Sequence, residues 1–182
     1  SIQTVVGGSF GGMQAMEFAA QAGSPAGHFF QNDDSNTPYL RSVLPIACGA
    51  MHTAWQIGVS EVQRQAIYRD IHWNTDTPER ATAGLEVARQ VGMISYRTPV
   101  GYQGKFGRAL QPASKKKGSG CDDSSDSDSD DEMPPYGSNT YWKVKSYLEY
   151  QGVKFLDRFD PVTYVKMTEQ MDSHDISRGR AA

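Results

Sequence analysis

The sequence predicts an α/β fold, in which a strand–helix–strand unit leads into a mainly helical region. Three observations carry that prediction. A β-branched run, Ile2-Gln3-Thr4-Val5-Val6, ends in glycines and passes straight into a helix-forming stretch. After a loop, a second apolar run from Leu40 to Gly49 has the composition of a buried parallel strand. Strand, helix, loop and strand in that order make a crossover unit. Beyond it the apolar residues recur at helical spacing over 53–68, over 83–96 and again from Tyr141 onward. At 182 residues the chain is one domain's worth.

The first strand ends in Gly7-Gly8-Ser9-Phe10-Gly11, which fits G-x-S-x-G, the nucleophile elbow of α/β-hydrolases. A serine held at the tip of a sharp strand-to-helix turn needs a strained backbone and neighbours without Cβ atoms. The turn exposes Ser9 as a candidate nucleophile, and the backbone N–H of Phe10 becomes a candidate oxyanion donor. Other glycine motifs fit less well. The middle glycine of G-x-G-x-x-G would fall on Ser9, and no Lys-Ser/Thr pair follows as a phosphate loop requires. The plain alternative is a tight glycine turn with an incidental serine.

Gly12 to Ala22 reads as the helix behind this turn, with Met13, Met16, Ala19 and Ala20 toward the sheet. Gly23 to Pro38 is rich in turn residues and reads as loop. From Thr53 to Tyr68, Trp55, Val59, Val62 and Ala66 mark one helical stripe, and 83–96 forms a further helix. Residues 111–140 hold Lys115-Lys116-Lys117, a Ser/Asp tract and Pro134-Pro135. So little apolar surface cannot offset ordering entropy, and this insert is expected to be disordered and passive. Helical periodicity returns at Tyr141, with Val144, Tyr147 and Leu148, then Tyr164, Met167 and Met171. The resulting division is 1–50 (sheet and elbow), 51–110 (helical), 111–140 (acidic insert) and 141–182 (helical).

The net charge of −3 conceals an asymmetry. Residues 122–132 carry seven of the 21 acids, which leaves 14 acids against 18 bases elsewhere. That small, scattered excess gives no nucleic-acid footprint. Cys48 and Cys121 lie in dissimilar surroundings, which argues for a reducing compartment rather than a disulfide framework. No basic-apolar leader and no long apolar run is present, so neither a membrane span nor membrane association is expected. Histidines and cysteines lack ligand spacing, and no metal is expected. His28, His52 and His72 read as structural or solvated histidines without a positioned partner, and His174 falls in what reads as helix.

Several collinear stretches together resemble the homoserine O-acetyltransferase family. They are Gly-Gly-Ser-Phe-Gly-Gly-Met-Gln (7–14), Ala-Trp-Gln-Ile-Gly-Val-Ser-Glu-Val-Gln-Arg-Gln-Ala-Ile (54–67), Gly-Leu-Glu-Val-Ala-Arg (84–89), Tyr96-Arg97 and Phe106-Gly107-Arg108. Ser-Tyr-Leu-Glu-Tyr-Gln-Gly (146–152), Lys154-Phe155, Arg158-Phe159-Asp160 and Met-Asp-Ser-His-Asp-Ile-Ser-Arg-Gly-Arg (171–180) complete the set. The resemblance covers most of the chain outside 23–39 and 111–140. It implies a partial α/β-hydrolase fold with a helical lid, usually a homodimer built through lid helices. It also implies a cytoplasmic enzyme that holds no cofactor and moves an acetyl group from the co-substrate acetyl-CoA, by way of Ser9, to the hydroxyl of L-homoserine, in methionine synthesis.

It further implies that Arg89 and Tyr96 line the active-site tunnel. Seven residues apart on one helix face, with Gly92 between them, they could clamp an amino-acid carboxylate. Read alone, Arg89 is an ordinary snorkelling arginine and Tyr96 an ordinary core tyrosine. The family's acid and histidine follow the serine on later loops, and no residue here fits them. They are expected beyond Ala182, so the chain reads as an internal piece, inactive by itself. Serine or deacetylcephalosporin C as acceptor, succinyl-CoA as donor, plain ester hydrolysis, or a non-catalytic copy are the competing functions.

Overall fold

The computed structural model describes residues 2–22, 39–112 and 140–180. The loop 23–38 with His28, and the body of the acidic insert at 113–139 with Cys121, lie outside the described residues.

Strands β1 (Ile2–Gly8) and β2 (Leu40–Ile46) pair in parallel, from Ile2 opposite Leu40 to Gly8 opposite Ile46. Helix α1 (Phe10–Ala22) links them and packs on both. It buries Gly12, Met13 and Ala15. Of the four residues expected to face the sheet, Met13 is fully buried, whereas Met16, Ala19 and Ala20 are half-buried. β2 is parallel as expected but not buried. Val6, Leu44 and Ile46 are each half or more exposed. Among the described residues α1 is the helix that covers this two-stranded sheet, so its other face meets solvent.

The remaining helices are α2 (Ala54–Tyr68), α3 (Thr82–Ser95), α4 (Pro99–Phe106), α5 (Lys143–Leu156) and α6 (Pro161–Ser173). Their starts are legible in local chemistry. Thr53 and Gln56 form a reciprocal capping box on α2. Thr98 and Asp160 cap α4 and α6, each followed by a proline that has no N–H to lose. α3 is different, because Ala81 at its start offers no side-chain cap. Asp70 supplies one from the preceding turn, where Oδ2 accepts the Gly84 N–H at 2.9 Å and Oδ1 the His72 N–H at 3.0 Å.

The core sits among these helices rather than on the sheet. Ile67, Ala81, Leu85, Ala88, Tyr164 and Val165 are buried together, with Trp73, Phe155 and Phe159 packed against them. α2 and α3 approach closely at Gly84, where a Cβ would lie 2.6 Å from the Ile67 Cα. The buried face of α2 is Ser60, Gln63, Arg64 and Ile67, which corrects the predicted stripe. Trp55 is 79% exposed and Val62 56% exposed. The buried polar residues of α2 have partners on α6: Gln63 accepts from Tyr164, and Arg64 pairs with Asp172.

Strands β3 (Leu110–Pro112) and β4 (Thr140–Trp142) pair antiparallel, so the boundaries drawn at 111 and 140 fall inside a short ladder. After α6 the chain returns to the first unit. Met51 bridges Asp175, the Ile176 N–H donates to the Ala50 carbonyl at 3.0 Å, and Arg180 donates to Glu17 of α1 at 2.6 Å. His174 is therefore the residue that ends α6, not one inside it. No described helix is long and apolar enough to cross a membrane.

Candidate active site

Ser9 stands between the last residue of β1 and the first of α1 at φ +53°. A side-chain-bearing residue adopts this left-handed conformation only when its surroundings hold it there. The holding is done by backbone. The Ser9 N–H donates to the Ile46 carbonyl of β2 at 2.9 Å, and its carbonyl accepts from Gly12 and Met13 at 2.9 and 3.1 Å. The Ser9 side is left exposed. As the first helical residue, Phe10 presents a backbone N–H with no intrahelical acceptor.

Two glycines make the turn sterically possible. A Cβ on Gly7 would lie 2.1 Å from the Gly11 carbonyl oxygen. One on Gly12 would lie 2.5 Å from the Cys48 Sγ and 2.9 Å from the Gly7 oxygen. Gly11, the last residue of the five-residue motif, has open space where a Cβ would stand. The motif read from sequence therefore put the constraint one residue too early on the helix side.

A cavity of about 570 Å³ opens beside this turn. Ser9 and Phe10 border it, together with His52 from the loop after β2, Gln56, Ser60 and Gln63 of α2, Arg89 of α3, Tyr96 at the C-cap of that helix, and Tyr164 and Thr168 of α6. The structure thus gathers Ser9, Phe10, Arg89 and Tyr96 around one space. The Arg89 guanidinium carbon lies 4.6 Å from the Phe155 ring centre and 5.7 Å from that of Tyr96. Its Nε is buried without a hydrogen-bond partner. A cation in that condition suits an anionic ligand. Tyr96 is 65% exposed, so it is no core tyrosine.

Sequence reasoning missed a second polar group on the cavity wall. His52 has a positioned partner after all: Asp172, near the end of α6, lies with Oδ1 2.8 Å from its Nδ1. The other Asp172 oxygen pairs with Arg64 Nη1 at 2.7 Å, and Arg64 Nη2 pairs with Glu61 at 3.0 Å. Burial alone would lower the Arg64 pKa, but its hydrogen bonds to the Asp172 and Glu61 carboxylates outweigh it and keep the guanidinium charged. Tyr164 donates to Gln63 Oε1. Burial pushes its hydroxyl well above the ordinary tyrosine range, so it remains a neutral donor. A signal did exist, because Tyr164, Thr168 and Asp172 recur every four residues on one face of α6. It is a polar stripe, which a search for apolar periodicity passes over.

His174 is buried and lies 3.7 Å from Glu17. Among the described residues His52 and His174 thus engage carboxylates, and no hydrogen bond joins a histidine to the Ser9 hydroxyl.

No family model matches the chain. Individual proteins do. A homoserine O-acetyltransferase from Salinibacter ruber is 39% identical over 98% of this chain and 42% of its own length. One from Nostoc punctiforme is 35% identical over 100% of this chain and 41% of its own. The crystal structure of homoserine O-acetyltransferase from Staphylococcus aureus superposes with a TM-score of 0.55 at 24% identity, over 100% of this chain and 38% of that one. The chain therefore spans about two fifths of the relatives it matches, and its fold is part of an α/β-hydrolase fold.

Proposed function

The chain is a homologue of the homoserine O-acetyltransferases along 98% of its length, and from that premise we propose that the protein carrying it transfers an acetyl group from acetyl-CoA to the hydroxyl of L-homoserine, a step toward methionine. One observation carries the reading. A serine on a strained strand-to-helix turn shares a cavity with a buried, hydrogen-bond-deficient Arg89 Nε. The first group suits acyl chemistry, and the second suits an acceptor bearing a carboxylate.

In this scheme Ser9 attacks the thioester carbonyl, its proton passing to a general base. The oxyanion that forms is held by the Phe10 N–H, and CoA leaves as the thiol. Arg89, flanked by Tyr96, holds the acceptor carboxylate. The acceptor hydroxyl then attacks the acyl-serine, and Ser9 is regenerated. No resident cofactor is needed. The same proposal includes a cytoplasmic setting, checked by cell fractionation. It also includes a homodimer through the helical layer. Sedimentation equilibrium would read that directly.

The test is incubation of the protein carrying this chain with acetyl-CoA, followed by mass spectrometry of the Ser9 peptide. An acetyl adduct should form and be discharged by L-homoserine faster than by water. Ser9→Ala should remove the adduct and lower turnover by at least about a thousandfold. An adduct that persists in Ser9→Ala would reject the assignment, and discharge by water alone would point to an esterase.

A further inference from the structure

The acceptor proposed above is a zwitterion, and the cavity has an evident place for only one of its charges. Among the described residues that line the cavity there is a guanidinium, Arg89, but no carboxylate. The ammonium group still needs hydrogen-bond acceptors once it leaves water.

The strongest acceptor on the wall is His52. Its side chain is 10% exposed and it borders the cavity. A carboxylate can only accept, so the proton between His52 and Asp172 resides on Nδ1, which donates to Asp172 Oδ1 at 2.8 Å. In the neutral ring this leaves the lone pair on Nε2. Behind the ring, Glu61, Arg64 and Asp172 form a chain with two carboxylates for one guanidinium. Asp172 and Arg64 are 12% and 8% exposed, so this orientation is held by buried partners and not by solvent.

Arg89 rests on Phe155 of α5, while His52 is tied to Asp172 of α6, and both border the one cavity. We propose that the His52–Asp172 pair is the ammonium subsite of the cavity, with His52 Nε2 accepting an N–H from an α-amino-acid acceptor whose carboxylate sits on Arg89. This rests on the acyl-transfer reading for the identity of the acceptor. It adds the group that separates amino acids from plain hydroxy acids.

The test is a binding comparison without acyl donor, using L-homoserine and 4-hydroxybutyrate, which differ by the amino group alone. Calorimetry on the protein carrying this chain should show homoserine binding about 10- to 100-fold more tightly, the range for one charge-assisted hydrogen bond. His52→Ala should erase that preference while leaving 4-hydroxybutyrate affinity nearly unchanged. His52→Gln, whose amide oxygen can stand near the Nε2 position, should restore part of it, and also answers the objection that the alanine variant is merely misfolded. An undiminished preference in His52→Ala would overturn the proposal, as would a wild-type cavity indifferent to the amino group. So would loss of Ser9 acetylation in both His52 variants, because His52 would then serve the nucleophile. Absence of the Ser9 adduct in the wild type would defeat the acyl-transfer reading alone, leaving the binding comparison to decide this one.

Discussion

The β1–α1–β2 unit and the helical layer hold their functional groups by different means. In the first, few side chains are buried and the sheet is open on one face, with Leu44 53% exposed. What fixes Ser9 there is backbone: a ladder, a hydrogen bond to the Ile46 carbonyl, and two glycines that let α1 approach. In the helical layer, Arg89 and His52 are fixed by side chains, the one stacked on Phe155 and the other tied to Asp172. Strain at a nucleophile needs a close backbone, because hydrogen bonds between peptide groups do not depend on rotamers. Substrate-facing cations and imidazoles need long reach, so a packed core must anchor their partners instead.

That contrast can be broken in three places. The largest effect should come from the helical core. Ile67→Ala should cost about 3 kcal/mol, as large-to-small changes at fully buried sites do. Trp55→Ala on the exposed side of the same helix should stay within about 0.5 kcal/mol. Urea denaturation midpoints of the pair would settle which face of α2 is structural, and equal losses would refute the assignment.

A smaller effect should appear at the elbow. Gly12→Ala should destabilise by about 2 kcal/mol, because its Cβ would meet Cys48 and the Gly7 carbonyl. Gly11→Ala should be neutral, or stabilising by up to about 1 kcal/mol, since space is open and alanine is the better helix former. Thermal melts that ranked them the other way would mean that the turn is held differently.

The smallest effect should be at Asp70, which caps α3 from outside the helix. Asp70→Ala should cost about 1 kcal/mol. Burial by itself raises this carboxyl's pKa, but the N–H groups of His72 and Gly84 outweigh it and hold it below the usual aspartate range. A lowered folded-state pKa means that the ionised form stabilises the fold above the unfolded value. That contribution should be lost as pH falls below about 4. Stability measured from pH 7 to 3 should converge for wild type and Asp70→Ala, and parallel curves would show that the carboxylate is not the source.

Local signals reached the elements and the nucleophile's turn. The β-branched run with glycines, the Thr53–Gln56 box and the Asp160-Pro161 start are short-range chemistry that works the same way in any fold. They failed wherever the deciding partner was distant. In sequence His52 has no visible partner, because Asp172 lies 120 residues away. The apolar residues of α2 point to one stripe, while the helix buries Ser60, Gln63 and Arg64, the last two partnered by Tyr164 and Asp172 of α6. The cap of α3 was invisible at Ala81 because it comes from Asp70, 14 residues before Gly84.

The amino-acid order alone was enough to place the first parallel strand pair and the main helices within a few residues, and to put Ser9 at a strand-to-helix turn, but not to show α4, β3 or β4. Backbone propensity and capping are settled within a few residues. The crossing of the elements set which helix faces are interior, that Gly12 rather than Gly11 is the crowded position, and that Asp172, 120 residues on, holds the His52 that borders the cavity. Such pairings depend on how the elements cross in space, and no local spacing encodes the crossing.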